Sequence, residues 1–158
     1  MSEPSVINLL IVDRSRSDID HIAKTLRGDG YEIELIATDQ AEEARSAIDY
    51  QPLDLILLRL ADDLPTIAEL RLMVAETRQD IPIIVVVDDD YRQQHKPARV
   101  LEEGADNYFH LDDADHLMAV VRKELHHLQA RKREQSFEIR VTESEIRSQA
   151  LLENIQEA

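Results

Sequence analysis

Five short strand-like runs, three of them nearly all apolar, alternate along the first 125 residues with stretches whose apolar residues recur at helical spacing. The runs are VINLLIV (Val6–Val12), YEIELIA (Tyr31–Ala37), DLILLRL (Asp54–Leu60), IPIIVVV (Ile81–Val87) and the segment Asn107–Leu111. A strand that is apolar at nearly every position has no solvent face, so it must be covered on both sides. Strands of that kind separated by helical segments predict a parallel sheet sandwiched between helices.

The spacing places the elements one by one. After the first run, Ser17 and Asp20 predict a helix cap, Ile19, Ile22, Ala23 and Leu26 share one helix face, and Gly28 and Gly30 stop it. The second run alternates polar and apolar residues, which suits a sheet edge. Thr38 then opens a helix carrying Ala41, Ala44, Ala47 and Ile48, with Pro52 beyond its end. A third helix starts at Thr66, where Glu69 completes a capping box, and turns Ile67, Leu70, Met73 and Val74 inward. IPIIVVV is the most apolar run and belongs at the sheet centre or next to it. The polar DDDYRQQHKP that follows reads as irregular, with Pro97 in the first turn of a short helix from Ala98 to Glu103. Asp112 or Asp113 caps a last helix in which Leu117, Val120, Val121, Leu125 and Leu128 fall at i, i+3 and i+4. The expected fold class is α/β, a flavodoxin-like doubly wound five-stranded parallel sheet of order 2-1-3-4-5, with a long C-terminal helical extension. Such folds gather ligands at the C-terminal ends of the strands near the switch point, here strands one and three.

Composition narrows the function classes. The chain of 158 residues is 43% hydrophobic, enough for one core plus an appendage, and it has no Cys, which removes disulfides and thiolate metal sites. No apolar run approaches the roughly 20 residues that span a bilayer, and MSEPSV does not resemble a secretory leader. The expectation is a cytoplasmic protein with no membrane contact. A net charge of −15 repels phosphate backbones, so no direct nucleic-acid binding is expected. His21, His95, His110, His116, His126 and His127 show no ligand spacing, and neither a metal nor a cofactor is expected from them.

Four segments in order, LLIVDRS, DLILLRL, IPIIVVV and GADNYFHL, resemble the motifs of the response-regulator receiver family over Val6 to about Leu128. The resemblance implies transfer of a phosphoryl group to an Asp carboxylate with Mg²⁺ held by acidic side chains, aided by a Thr or Ser hydroxyl and a Lys ammonium. Carried over position by position, the first-strand acidic pair falls on Asp13 and Arg14, the acceptor on Arg59, the hydroxyl position on Val87 and the Lys position on Leu111. Only Asp13 keeps the required chemistry, because Arg neither accepts phosphate nor binds a cation. The expectation is a degenerate site with no catalytic residue and no metal, in which Arg59 or Arg14 pairs with Asp13 and replaces the ion by a fixed positive charge. An alternative is a sensor that binds a small anion in the Arg-containing pocket. Displaced phosphorylation at Asp62 or Asp63 is a lesser one. Tyr108 falls at the family's switch aromatic, where Val87 offers it no hydroxyl, and Pro97 interrupts the family's fourth helix.

Two regions are expected: a degenerate receiver over 1–127 and a helical linker or coiled coil over 128–158. A leaky three- and four-residue apolar repeat runs on from Leu117, Val121, Leu125 and Leu128, and supports a homodimer through this helix. The ending SEIRSQALLENIQEA resembles the approach to a PAS domain. That resemblance implies a receiver, PAS and cyclic-di-GMP enzyme arrangement, in which this non-enzymatic module engages protein partners and relays to a downstream output domain.

Overall fold

The computed structural model describes residues 6–130. Their elements run β1 (Val6–Val12), α1 (Arg16–Gly28), β2 (Glu32–Thr38), α2 (Ala41–Tyr50), β3 (Leu55–Arg59), α3 (Ile67–Thr77), β4 (Ile83–Val87), α4 (Asp89–Gln94), α5 (Arg99–Glu102) and β5 (Asn107–His110). A last helix, α6, covers 114–130. The strands form one sheet in the order β2-β1-β3-β4-β5, with every neighbouring pair parallel. This is the flavodoxin-like arrangement that the alternating pattern predicts.

The side-chain period of two splits each inner strand between two cores. Leu10, Val12, Ile56, Leu58, Val85 and Val87 point to one face, where they meet Ala44 and Ile48 of α2 and Ile67, Leu70 and Val74 of α3. Leu9, Ile11, Leu57, Ile84, Val86 and Phe109 point to the other, against Ile19, Ile22 and Leu26 of α1 and Leu117, Val120 and Val121 of α6. Polar alternation in β2 matches its place at one edge.

Several local expectations need correction. The cap of α1 is Ser15, whose Oγ accepts from the Asp18 N–H at 3.3 Å, and Ser17 lies inside the helix. Thr38 ends β2 and does not cap α2, whose first residue follows Gln40; its Oγ1 accepts from the Gln40 N–H at 3.0 Å. Thr66 caps α3 through the Glu69 N–H at 3.1 Å, and Asp113 caps α6, accepting from the His116 N–H at 3.0 Å. The segment read as irregular contains α4, begun by Asp88, which accepts from the Tyr91 N–H at 2.8 Å. Helical winding stops at His95 and restarts at Arg99, so Pro97 divides what would otherwise be one longer helix.

The compact unit that holds the sheet ends at Leu125. Leu117 and Val121, expected in the helix that packs on the body and continues into the dimer or linker segment, are 3% and 0% exposed and belong to the core beside the sheet. Leu125 is partly buried against the same cluster, and Leu128 is buried as well. The proposed repeat positions from Gln135 onward lie outside the described residues.

Candidate functional site

Parallel pairing of β1 with β3 and of β3 with β4 brings the C-terminal ends of these strands to one edge of the sheet. Asp13 follows β1 directly, Arg59 is the last residue of β3 and Asp88 follows β4. Asp18 joins them from the first turn of α1. Arg59 extends its guanidinium into this ring of acids with only 16% of its side chain exposed. Its Nη1 donates to Asp18 Oδ2 at 3.0 Å and its Nη2 to Asp88 Oδ2 at 2.8 Å. Asp13 Oδ2 lies 3.6 Å from Nη1, an ion-pair distance without a hydrogen bond.

Asp13 is the most enclosed member, with 4% of its side chain exposed. Its backbone N–H donates to the Thr38 carbonyl at 3.1 Å, and its Oδ1 accepts from the Ser15 N–H at 3.1 Å. Among the described residues, Asp13 Oδ2 is the buried side-chain oxygen with no hydrogen-bond partner. The charge of Arg59 is therefore what compensates it, since a buried carboxylate without a counter-charge is costly.

The site thus divides the expectation about Asp13. Arg59 stands beside it but spends its fork on Asp18 and Asp88, whereas Arg14 turns away, 58% exposed, and pairs with Asp63 and with Asp39, the latter at 3.6 Å. A single guanidinium faces Asp13, not two. Asp18 is not among the expected site residues, although an acid in the first turn of the helix after β1 is placed to reach the end of β3. In the sequence Asp88 is one of three consecutive acids, with nothing local to single it out.

The electrostatics follow from this packing. Burial opposes the charge of Arg59, but its hydrogen bond to Asp88 and the charges of Asp13 and Asp88 outweigh burial and raise its pKa above the ordinary guanidinium value. Burial likewise pushes the Asp88 carboxyl up, and the Tyr91 N–H together with Arg59 more than reverses this, leaving its pKa below the usual carboxylate value. A carboxylate depressed in the fold contributes stability that is present above its unfolded pKa of about 4 and lost as pH falls through the folded value. Urea midpoints are accordingly expected to fall as pH drops below about 4, and Asp88→Asn to flatten that decline; equal slopes for both proteins would count against it.

The Mg²⁺ that the sequence resemblance implies does not fit this donor set. A guanidinium fills the space between Asp13, Asp18 and Asp88 on which oxygen ligands would have to converge, and Arg14 contributes no oxygen. The other carried-over positions are apolar. Val87 is 1% exposed in the core that holds Leu58 and Val85, and Tyr108 packs against that cluster. The Tyr108 ring meets His116 edge-on, with centroids 6.0 Å apart. Leu111 packs against the opposite core. Asp63 is engaged by Arg14, and Asp62 lines a cavity of about 490 Å³ together with Asp88, Asp90, Tyr91 and Glu103; neither Arg nor Lys lines it.

Neither the family models nor the curated proteins contain a match to this chain. Solved structures do. A CheY-like response regulator receiver domain protein from Methanospirillum hungatei JF-1 is 22% identical with a TM-score of 0.60, over 80% of this chain and 98% of that one. The chain has the receiver fold. The signal receiver domain of an HD domain-containing protein from Pseudomonas fluorescens Pf-5 superposes at a TM-score of 0.61 and 16% identity, over 83% of this chain and 93% of that one. A member of a family of streptococcal redox sensors described as evolved from two-component response regulators is 17% identical, with a TM-score of 0.62 over 81% of this chain and 55% of that one. The Arg59 cluster sits at the C-terminal strand ends, the edge at which doubly wound sheets gather ligands.

Proposed function

We propose that this chain is a phosphorylation-independent receiver-like module, an interaction and dimerisation unit in bacterial two-component or cyclic-di-GMP signalling that relays to a C-terminal output domain. The observation that carries the proposal is Arg59 at the acceptor position, hydrogen-bonded to Asp18 and Asp88 and 3.6 Å from Asp13. On this reading the chain is not an enzyme. Arg59, at the end of β3, joins α1 to the start of α4 through two hydrogen bonds and lies at ion-pair distance from the residue that follows β1. The streptococcal sensors are receiver-derived proteins turned to another use, which makes the proposal a reasonable one for this scaffold.

The reading is tested by incubating the full chain with a small phosphodonor and Mg²⁺ and measuring the intact mass. No phosphoryl adduct is expected from the wild type, nor from Arg59→Asp, because Val87 and Leu111 still lack the hydroxyl and the ammonium. A stoichiometric, hydroxylamine-labile adduct on the wild type would overturn it, and one on Arg59→Asp alone would show that Arg59 by itself blocks the site.

Dimerisation is proposed through the segment beyond residue 130, because Leu117 and Val121 are committed to the core. Light scattering should give a dimer mass for the full chain and a monomer for a chain ending at Ala130. Two monomer masses would exclude a helix-mediated dimer. The anion-sensor alternative finds no supporting observation, since Arg59 and Arg14 are both engaged by carboxylates and the adjoining cavity is acidic.

A further inference from the structure

A second cluster lies beside the Arg59 ring and uses none of its hydrogen bonds. His110 ends β5 with 15% of its side chain exposed, and its Nε2 is 2.9 Å from Oδ1 of Asp89 in the first turn of α4. The Asp112 N–H points at His110 Nδ1 at 3.2 Å, which orients the ring. One ligand atom each from Asp89, His110 and Asp112 can be chosen so that all lie within 4.8 Å of one another. They border a cavity of about 220 Å³ whose other lining residues are Asp88, Asp90 and Leu111. Four carboxylates thus surround one imidazole, and no cationic side chain lines the space.

We propose that Asp89, His110 and Asp112 bind a divalent d-block cation of the zinc class, linking the start of α4 to the end of β5. The donor types select this class. One imidazole with two carboxylates suits Zn²⁺, whereas Mg²⁺ demands oxygen ligands in a rigid octahedron. The geometry is close to what is needed, because bonds of about 2.0–2.2 Å in a tetrahedron set ligand atoms roughly 3.4 Å apart. Asp89 and Asp112 are exposed, so their side chains can close the remaining distance without repacking the core. The ion takes the Nε2 position, the ring proton moves to Nδ1, and the 3.2 Å contact with the Asp112 N–H is given up. Water completes the coordination. The ligands come from two segments that meet only in the fold, which is why no spacing in the sequence displays them.

Calorimetric titration of the full chain with Zn²⁺ alone tests the site. One ion per chain is expected to bind in a step that millimolar Mg²⁺ does not suppress. Affinity should drop at least tenfold in His110→Ala and in Asp89→Asn. The second variant alters an exposed carboxylate, so it decides the matter if the first fails to fold by circular dichroism. Binding should also move the His110 ring nitrogens in a ¹⁵N spectrum and raise the melting temperature by mass action. No binding to the wild type, or undiminished binding to the variants through the other histidines, overturns the proposal.

Discussion

Replacing Arg59 by Met should cost about 3 kcal/mol, the loss typical of removing one partner from a buried ion pair. Met keeps much of the length and apolar stem of Arg, so the loss reports on charge and hydrogen bonding more than on packing. What remains is Asp13, almost fully enclosed, with Asp18 and Asp88 beside it and no cation among them. Asp18 and Asp88 are 28% and 31% exposed, so water relieves part of their repulsion, and the figure belongs at the lower end of the range for buried pairs. Arg59→Lys should lie between wild type and Met, because an ammonium supplies the charge but cannot reach two carboxylates as a planar fork does. Urea denaturation measures all three. A Met variant within about 0.5 kcal/mol of wild type, the range of ordinary surface substitutions, would show that the cluster does not depend on Arg59.

The largest effect on stability is expected from Phe109→Ala, at about 3–5 kcal/mol. Phe109 is fully buried in β5, which is only four residues long and forms the sheet edge opposite β2. It belongs to one buried core with Ile84 and Val86 of β4 and Leu117 and Val121 of α6. Truncation leaves a cavity that these β-branched and leucine side chains cannot close without moving the strand or the helix. The urea midpoint should fall steeply while the dependence on denaturant stays constant. A shift of less than about 1 kcal/mol would mean that β5 and α6 collapse onto the gap, contrary to the close packing of such cores.

These two residues also mark how far the sequence is legible. Phe109 is the one buried residue of β5, a strand legible as the last of five βα repeats, and the strand order follows from the chain of βαβ units. By contrast, α4 buries none of its residues, so it has no apolar stripe to betray it, and it exists because Asp88 caps its first turn. The two ends of the network around Arg59 differ in the same way. A lone Arg ending an apolar strand stands out in the sequence, but Asp18 reaches it only because α1 packs across the face of β1 and β3. Leu117 and Val121 carry a pattern that serves a core or a coiled coil equally well, and the sheet claims them. Local spacing describes what a segment can do, while the choice of partner is made by the tertiary arrangement.

The Arg59 cross-link has a bearing on time. An acyl phosphate is added after synthesis and lost by hydrolysis, so a protein that uses one carries its own clock. A guanidinium joined to Asp18 and Asp88 is encoded in the chain and has no reaction by which to expire. The arrangement forms with the fold itself, and what can release it is a change of charge on its partners, as when Asp88 takes up a proton at low pH.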